Sequence, residues 1–98
     1  MDVLFLDKDI EVLMPNFRKS RLNELNNLKL AIENKDLNQF KAESHKIKGV
    51  AGSFGWQYLS KKAEEMENLT SLGNSKDLLE LIKELEIHVE ETEIIYVD

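Results

Sequence analysis

The sequence predicts an all-α fold, an antiparallel up-down-up-down four-helix bundle in one domain over residues 1–98, with a short extra N-terminal helix. Three observations carry that expectation. Apolar residues recur at intervals of three and four along most of the chain. Only four glycines and one proline are present, so turn chemistry is confined to a few places. The connections between periodic stretches are short, as neighbouring antiparallel helices require.

Taken in order, an apolar piece at Val3-Leu4-Phe5-Leu6 comes first. Pro15 suits a helix start better than a helix interior, so a short helix or turn is expected before it. The first long helix carries Leu13, Met14, Phe17, Leu25, Leu28 and Ile32 through about Glu33, with Arg21 and Glu24 interrupting the stripe. Asn34-Lys35-Asp36 reads as a tight connection, in which Asp36 is the N-cap candidate and Gln39 is placed to reach back. The second helix holds Phe40, His45, Ile47 and Ala51, and is expected to end or distort between Gly52 and Gly55. In the third, Trp56, Leu59, Ala63, Met66 and Thr70 share a stripe with Leu69 beside it, and Gly73 offers a left-handed cap after Leu72. Asn74 or Ser75 caps the fourth helix, and Asp77 puts an acid in its first turn. Its core face is Leu78, Leu81, Ile82, Leu85, Val89, Thr92 and Tyr96, with β-branched residues in Ile94-Ile95-Tyr96-Val97 fraying or extending the end.

Composition narrows the function classes. Hydrophobic residues make up 42% and charged residues 33% of 98 residues, the balance of a chain with a single globular core. There is no cysteine, which excludes disulfides and thiolate metal sites. Asp7 and Asp9 follow the N-terminal apolar piece and no basic segment precedes it, so no signal peptide is expected. No apolar run approaches the roughly 18 residues of a membrane span, and a cytoplasmic location is expected. Between Lys76 and Asp98, eight acids and two bases carry the whole net charge of −6. An acidic last helix argues against nucleic acid or an anionic membrane as partner.

Chemistry is concentrated in Ser44-His45-Lys46-Ile47-Lys48-Gly49-Val50-Ala51-Gly52-Ser53-Phe54-Gly55. At about 100° per residue, Lys41, Lys48, Gly49 and Gly52 fall on the His45 side of the helix, opposite Phe40, Ile47, Ala51 and Phe54. The imidazole is therefore expected to point away from the core. Each of the two helical glycines costs about 1 kcal/mol relative to alanine, so their presence asks for a reason. Bare backbone beside a histidine lets another protein surface come close. A neutral imidazole is a good nucleophile at pH 7 and needs no base to ionise it. Competing motifs fail: there is no GxGxxG after a strand, no Gly-Lys followed by Ser or Thr, and no HxxxH or HExxH pair. His88, at the edge of the last apolar stripe, reads as a packing or surface residue.

The run His45-x-x-Lys48-Gly49-x-x-Gly52-x-x-Gly55 resembles the phosphoacceptor segment of histidine-containing phosphotransfer (HPt) domains, small helical bundles that relay phosphoryl groups in multistep two-component signalling. The likeness extends from about Ile10 to the C-terminus in the order of its helical patterns. It implies that His45 accepts a phosphoryl group from a receiver-domain aspartate and passes it to another receiver, without autokinase activity. Lys48 is the candidate for phosphate electrostatics, with Lys46 the weaker one. Gly49, Gly52, Lys46 and Lys41 form the expected docking face. Glu67 is the candidate to orient the imidazole through Nδ1–H, and Glu64 is the runner-up. The implied partners are response-regulator receiver domains and a hybrid histidine kinase, with no cofactor on this chain and magnesium on the partner receiver. The alternative is a non-catalytic helical module that binds or inhibits a receiver.

Overall fold

The computed structural model describes residues 3–98. Strand β1 (Val3–Asp7) leads through a 3-10 helix (Lys8–Leu13) into α1 (Met14–Glu33); α2 (Leu37–Ser53), α3 (Gln57–Glu67) and α4 (Ser75–Glu91) follow, and β2 (Glu93–Val97) closes the chain.

Local chemistry accounts for most boundaries. Pro15 lies in the first turn of α1, where its missing N–H leaves no bond unmade. The helix ends at a left-handed Lys35, φ 53°, and the N–H of Asp36 donates to the carbonyl of Ala31 at 2.9 Å. Asp36 then caps α2, its Oδ1 accepting from Gln39 N at 3.0 Å. Between α2 and α3 the chain turns at Gly55, φ 85°, a left-handed conformation that side chains resist. A Cβ there would also lie 3.3 Å from Leu6 Cδ2. Of the two cap candidates for α4, Asn74 takes the role, accepting from Asp77 N.

α2 packs against both α1 and α3, and α1 also packs against α4. Their apolar stripes meet in one core whose largest fully buried side chains include Trp56, Phe40, Leu25, Leu28 and Ile47. Phe17 stacks on Trp56 at 5.5 Å and meets Phe54 at 4.6 Å. Arg21 and Glu24 interrupt the α1 stripe without breaking it. The buried Arg21 lies over the Phe17 ring, and its Nε donates to Glu24 Oε1 at 2.6 Å.

The all-α expectation needs correction, because β1 and β2 form a parallel two-stranded sheet, in register from Val3 opposite Glu93 to Asp7 opposite Val97. Along β1, Leu4 and Leu6 turn inward while Val3 and Phe5 are exposed; along β2, Ile94 and Tyr96 are half-buried against the core. That alternation is the strand period, carried by β-branched and aromatic side chains. It also means that Tyr96 belongs to a strand rather than to the α4 face. The third helix is shorter than its pattern suggests. It stops at Glu67 with Asn68 as its last cap, so Thr70 is exposed and Gly73 is not left-handed.

Candidate functional site

The polar face of α2 meets a carboxylate-bearing edge of α3. His45 stands on α2 opposite Phe40, Ile47 and Ala51, with its side chain 69% exposed. On α3, Glu64 and Glu67 lie one turn apart on the side toward α2. His45 Nδ1 is 2.6 Å from Glu67 Oε2, and Lys48 Nζ donates to Glu67 Oε1 at 3.1 Å. One carboxylate thus joins the histidine and the lysine. Glu64 reaches Lys48 instead, at 3.7 Å, so of the two sequence candidates it is Glu67 that meets the imidazole.

The electrostatics follow from this geometry. The hydrogen bond from Lys48 holds the Glu67 carboxyl below its usual range; partial burial opposes the shift, and the His45 contact adds to it. In return Glu67 pushes the Lys48 ammonium above its ordinary value, with burial opposing and Glu64 helping. An ionised carboxylate only accepts hydrogen bonds, so the neutral ring carries its proton on Nδ1 and leaves the lone pair on Nε2. A nucleophilic nitrogen is thereby held at an exposed position.

The remaining expected residues divide. Gly49 is exposed, and a Cβ built there would meet nothing within 4 Å. Gly52 is half-buried, and a Cβ there would lie 3.2 Å from Ser60 Oγ on α3. Lys46 turns to Glu43 at 3.2 Å, and Lys41 is half-buried one turn before His45. Ser60 escaped the sequence reading, yet its Oγ donates to the carbonyl of Lys48 at 2.9 Å. The available signal was the spacing of residues 60, 64 and 67, which places all three on one face of α3.

A family model described as the Hpt domain matches residues 12–93. The chain belongs to the Hpt domain family. The match takes in all four α-helices and the whole His45 site, leaves β1 outside, and reaches only the first residue of β2. Neither a curated protein nor a solved structure matches. Hpt domains are phosphotransfer carriers rather than classical enzymes, and in phosphorelays they meet receiver domains and histidine kinases. Membership implies that this Hpt domain takes part in histidine phosphotransfer. Among the described residues no helix is long and apolar enough to cross a membrane. The second histidine of this Hpt domain packs: Trp56 Nε1 donates to His88 Nε2 at 2.8 Å, and Thr92 Oγ1 lies 3.2 Å from its Nδ1.

Proposed function

We propose that this Hpt domain accepts a phosphoryl group on Nε2 of His45 from a receiver aspartate and hands it to the aspartate of another receiver. The observation that carries this reading is the 2.6 Å contact between His45 Nδ1 and an ionised Glu67. The Nε2 lone pair forms the N–P bond while the acyl-phosphate O–P bond breaks, returning its electron pair to the aspartate carboxylate. With the proton kept on Nδ1, the ring becomes cationic as the N–P bond forms. Glu67, already in place, stabilises that charge. The N–P bond of the product is weak, so the same steps in reverse transfer the group to a second aspartate.

Lys48 supports the reading by keeping Glu67 ionised, and its ammonium is the cation that phosphoryl oxygens would draw on. Gly49 is the open point of the docking face; Gly52, Lys46 and Lys41 border it. On this reading magnesium belongs to the receiver and the chain brings no cofactor of its own. The architecture that fits is the antiparallel four-helix bundle, supported by Arg18, early in α1, meeting the last carbonyls of α4.

The test is labelling from a 32P-phosphorylated receiver. The parent protein should take up acid-labile, alkali-stable label, and His45→Gln should take up none while keeping its helical circular dichroism. Label that persists in His45→Gln or moves to His88 overturns the assignment. Receiver binding without any labelling of the parent would instead favour a non-catalytic interaction module.

A further inference from the structure

A hydrogen bond from Ser60 to the backbone of α2, beside Gly52, joins the two helices of the site. Ser60 Oγ donates to the Lys48 carbonyl at 2.9 Å, and the missing side chain of Gly52 leaves room for that hydroxyl. The acceptor carbonyl lies about 4.5 Å along α2 from His45, while Ser60 lies about 10 Å along α3 from Glu67, at a rise of 1.5 Å per residue. A bond at this point resists both sliding and rotation of α3 against α2. The His45–Glu67 contact, spanning the same two helices at 2.6 Å, tolerates little of either.

We propose that Ser60, seated against Gly52, is a positioning residue that sets the register of α3 on α2 and through it the hydrogen bond from His45 Nδ1–H to Glu67. The inference rests on the phosphotransfer reading of His45. It differs from the docking role expected of Gly52, because it assigns that glycine to the contact between two helices of one molecule. A hydroxyl serving only to tie two helices together would affect melting and leave the histidine alone. A positioning hydroxyl changes the histidine whether or not a receiver is present.

The experiment therefore reads the free protein first. Long-range 1H–15N NMR spectra report the tautomer of His45 in the parent, Ser60→Ala, Gly52→Ala, the double variant and Glu67→Ala. Ser60→Ala is expected to lower the Nδ1–H fraction and slow receiver-to-His45 transfer about threefold to tenfold, as sub-ångström misplacement of a reactive group does. Gly52→Ala is expected to act in the same direction, since its Cβ would lie 3.2 Å from the hydroxyl and crowd it off the Lys48 carbonyl. In the Ser60→Ala background the Gly52 change should add little, because the group it displaces is gone. A parental tautomer and rate in Ser60→Ala, alongside altered ones in Glu67→Ala, overturn the role of Ser60 alone. If Glu67→Ala is parental too, the reading of the His45 site itself is what fails.

Discussion

Glu67 serves two partners with one carboxylate, and the order of their effects matters. Lys48 is the larger cause of its acidity and His45 the smaller. Lys48→Ala should therefore raise the Glu67 titration midpoint toward the ordinary carboxylate value, measured by 13C NMR of the side-chain carboxyl. In the parent, a carboxyl depressed on folding contributes stability above its unfolded pKa and loses it as pH falls through the lower folded value. Lys48 is the mirror case: its raised pKa contributes below the unfolded value and is lost as pH rises through the folded one. The His45–Glu67–Lys48 chain should thus persist as pH falls through the ordinary carboxylate range and be lost only when Glu67 itself takes up a proton. That His45, Lys48 and Glu67 meet was legible in part, because helix period puts the first two on one face and Glu67 at a stripe edge, and the resemblance to HPt domains singled them out. Ser60 was not, because its partner is a carbonyl on another helix, and only the separation of the two helices reveals it.

Among elements, the end of α4 is held by a side chain from α1. The Arg18 guanidinium donates to the carbonyls of Val89, Glu90 and Thr92, some of the orphan acceptors that every helix end leaves, and lies 5.7 Å over the Trp56 ring. Arg18→Ala should cost about 2 kcal/mol in urea denaturation, the scale of a charge-assisted hydrogen bond lost at a half-buried site. The His45 tautomer, on the α2–α3 side, should not change. A loss near zero would mean that water replaces the guanidinium at those carbonyls. The helices themselves were legible from periodicity, and α1, α2 and α4 sit close to where the apolar stripes put them. The strands were not, since Val3-Leu4-Phe5-Leu6 and Ile94-Ile95-Tyr96-Val97 are each too short to declare a period and become strands only by pairing across the length of the chain. The end of α3 was misjudged for a related reason: Leu69 and Leu72 pack against the core from a loop, so apolar spacing continues where the helix does not.

On the scale of the whole molecule, charge and reactivity are separated. The excess of acid lies between Lys76 and Asp98, whereas His45 and Gly49 stand on α2, which packs between α1 and α3. On the proposed phosphotransfer reading a docking receiver would bring its aspartate to His45, so a side chain at Gly49 should obstruct it while meeting only open space in the free protein. Gly49→Arg is expected to keep or raise the melting temperature and to weaken both receiver binding and transfer about tenfold or more. Reversing Glu90 and Glu91 to lysine should change binding far less. Titration of both variants with one cognate receiver decides the matter: if the charge reversal abolishes binding and Gly49→Arg binds normally, the interface lies on another side of the molecule.

The parallel pairing of β1 with β2 also determines how the molecule bears load. Tension applied at the two ends of the described chain enters β1 at Val3 and β2 at Val97, opposite ends of the ribbon, because the strands run the same way from Val3 beside Glu93 to Asp7 beside Val97. The strands are then pulled along their length in opposite senses, and their ladder bonds share the force at once instead of opening one after another like a zip. The Lys8–Asp98 ion pair, 2.6 Å, sits where the pull would begin to draw β2 away. A ribbon of five residues on each side would thus be loaded in shear before the helices between its strands are.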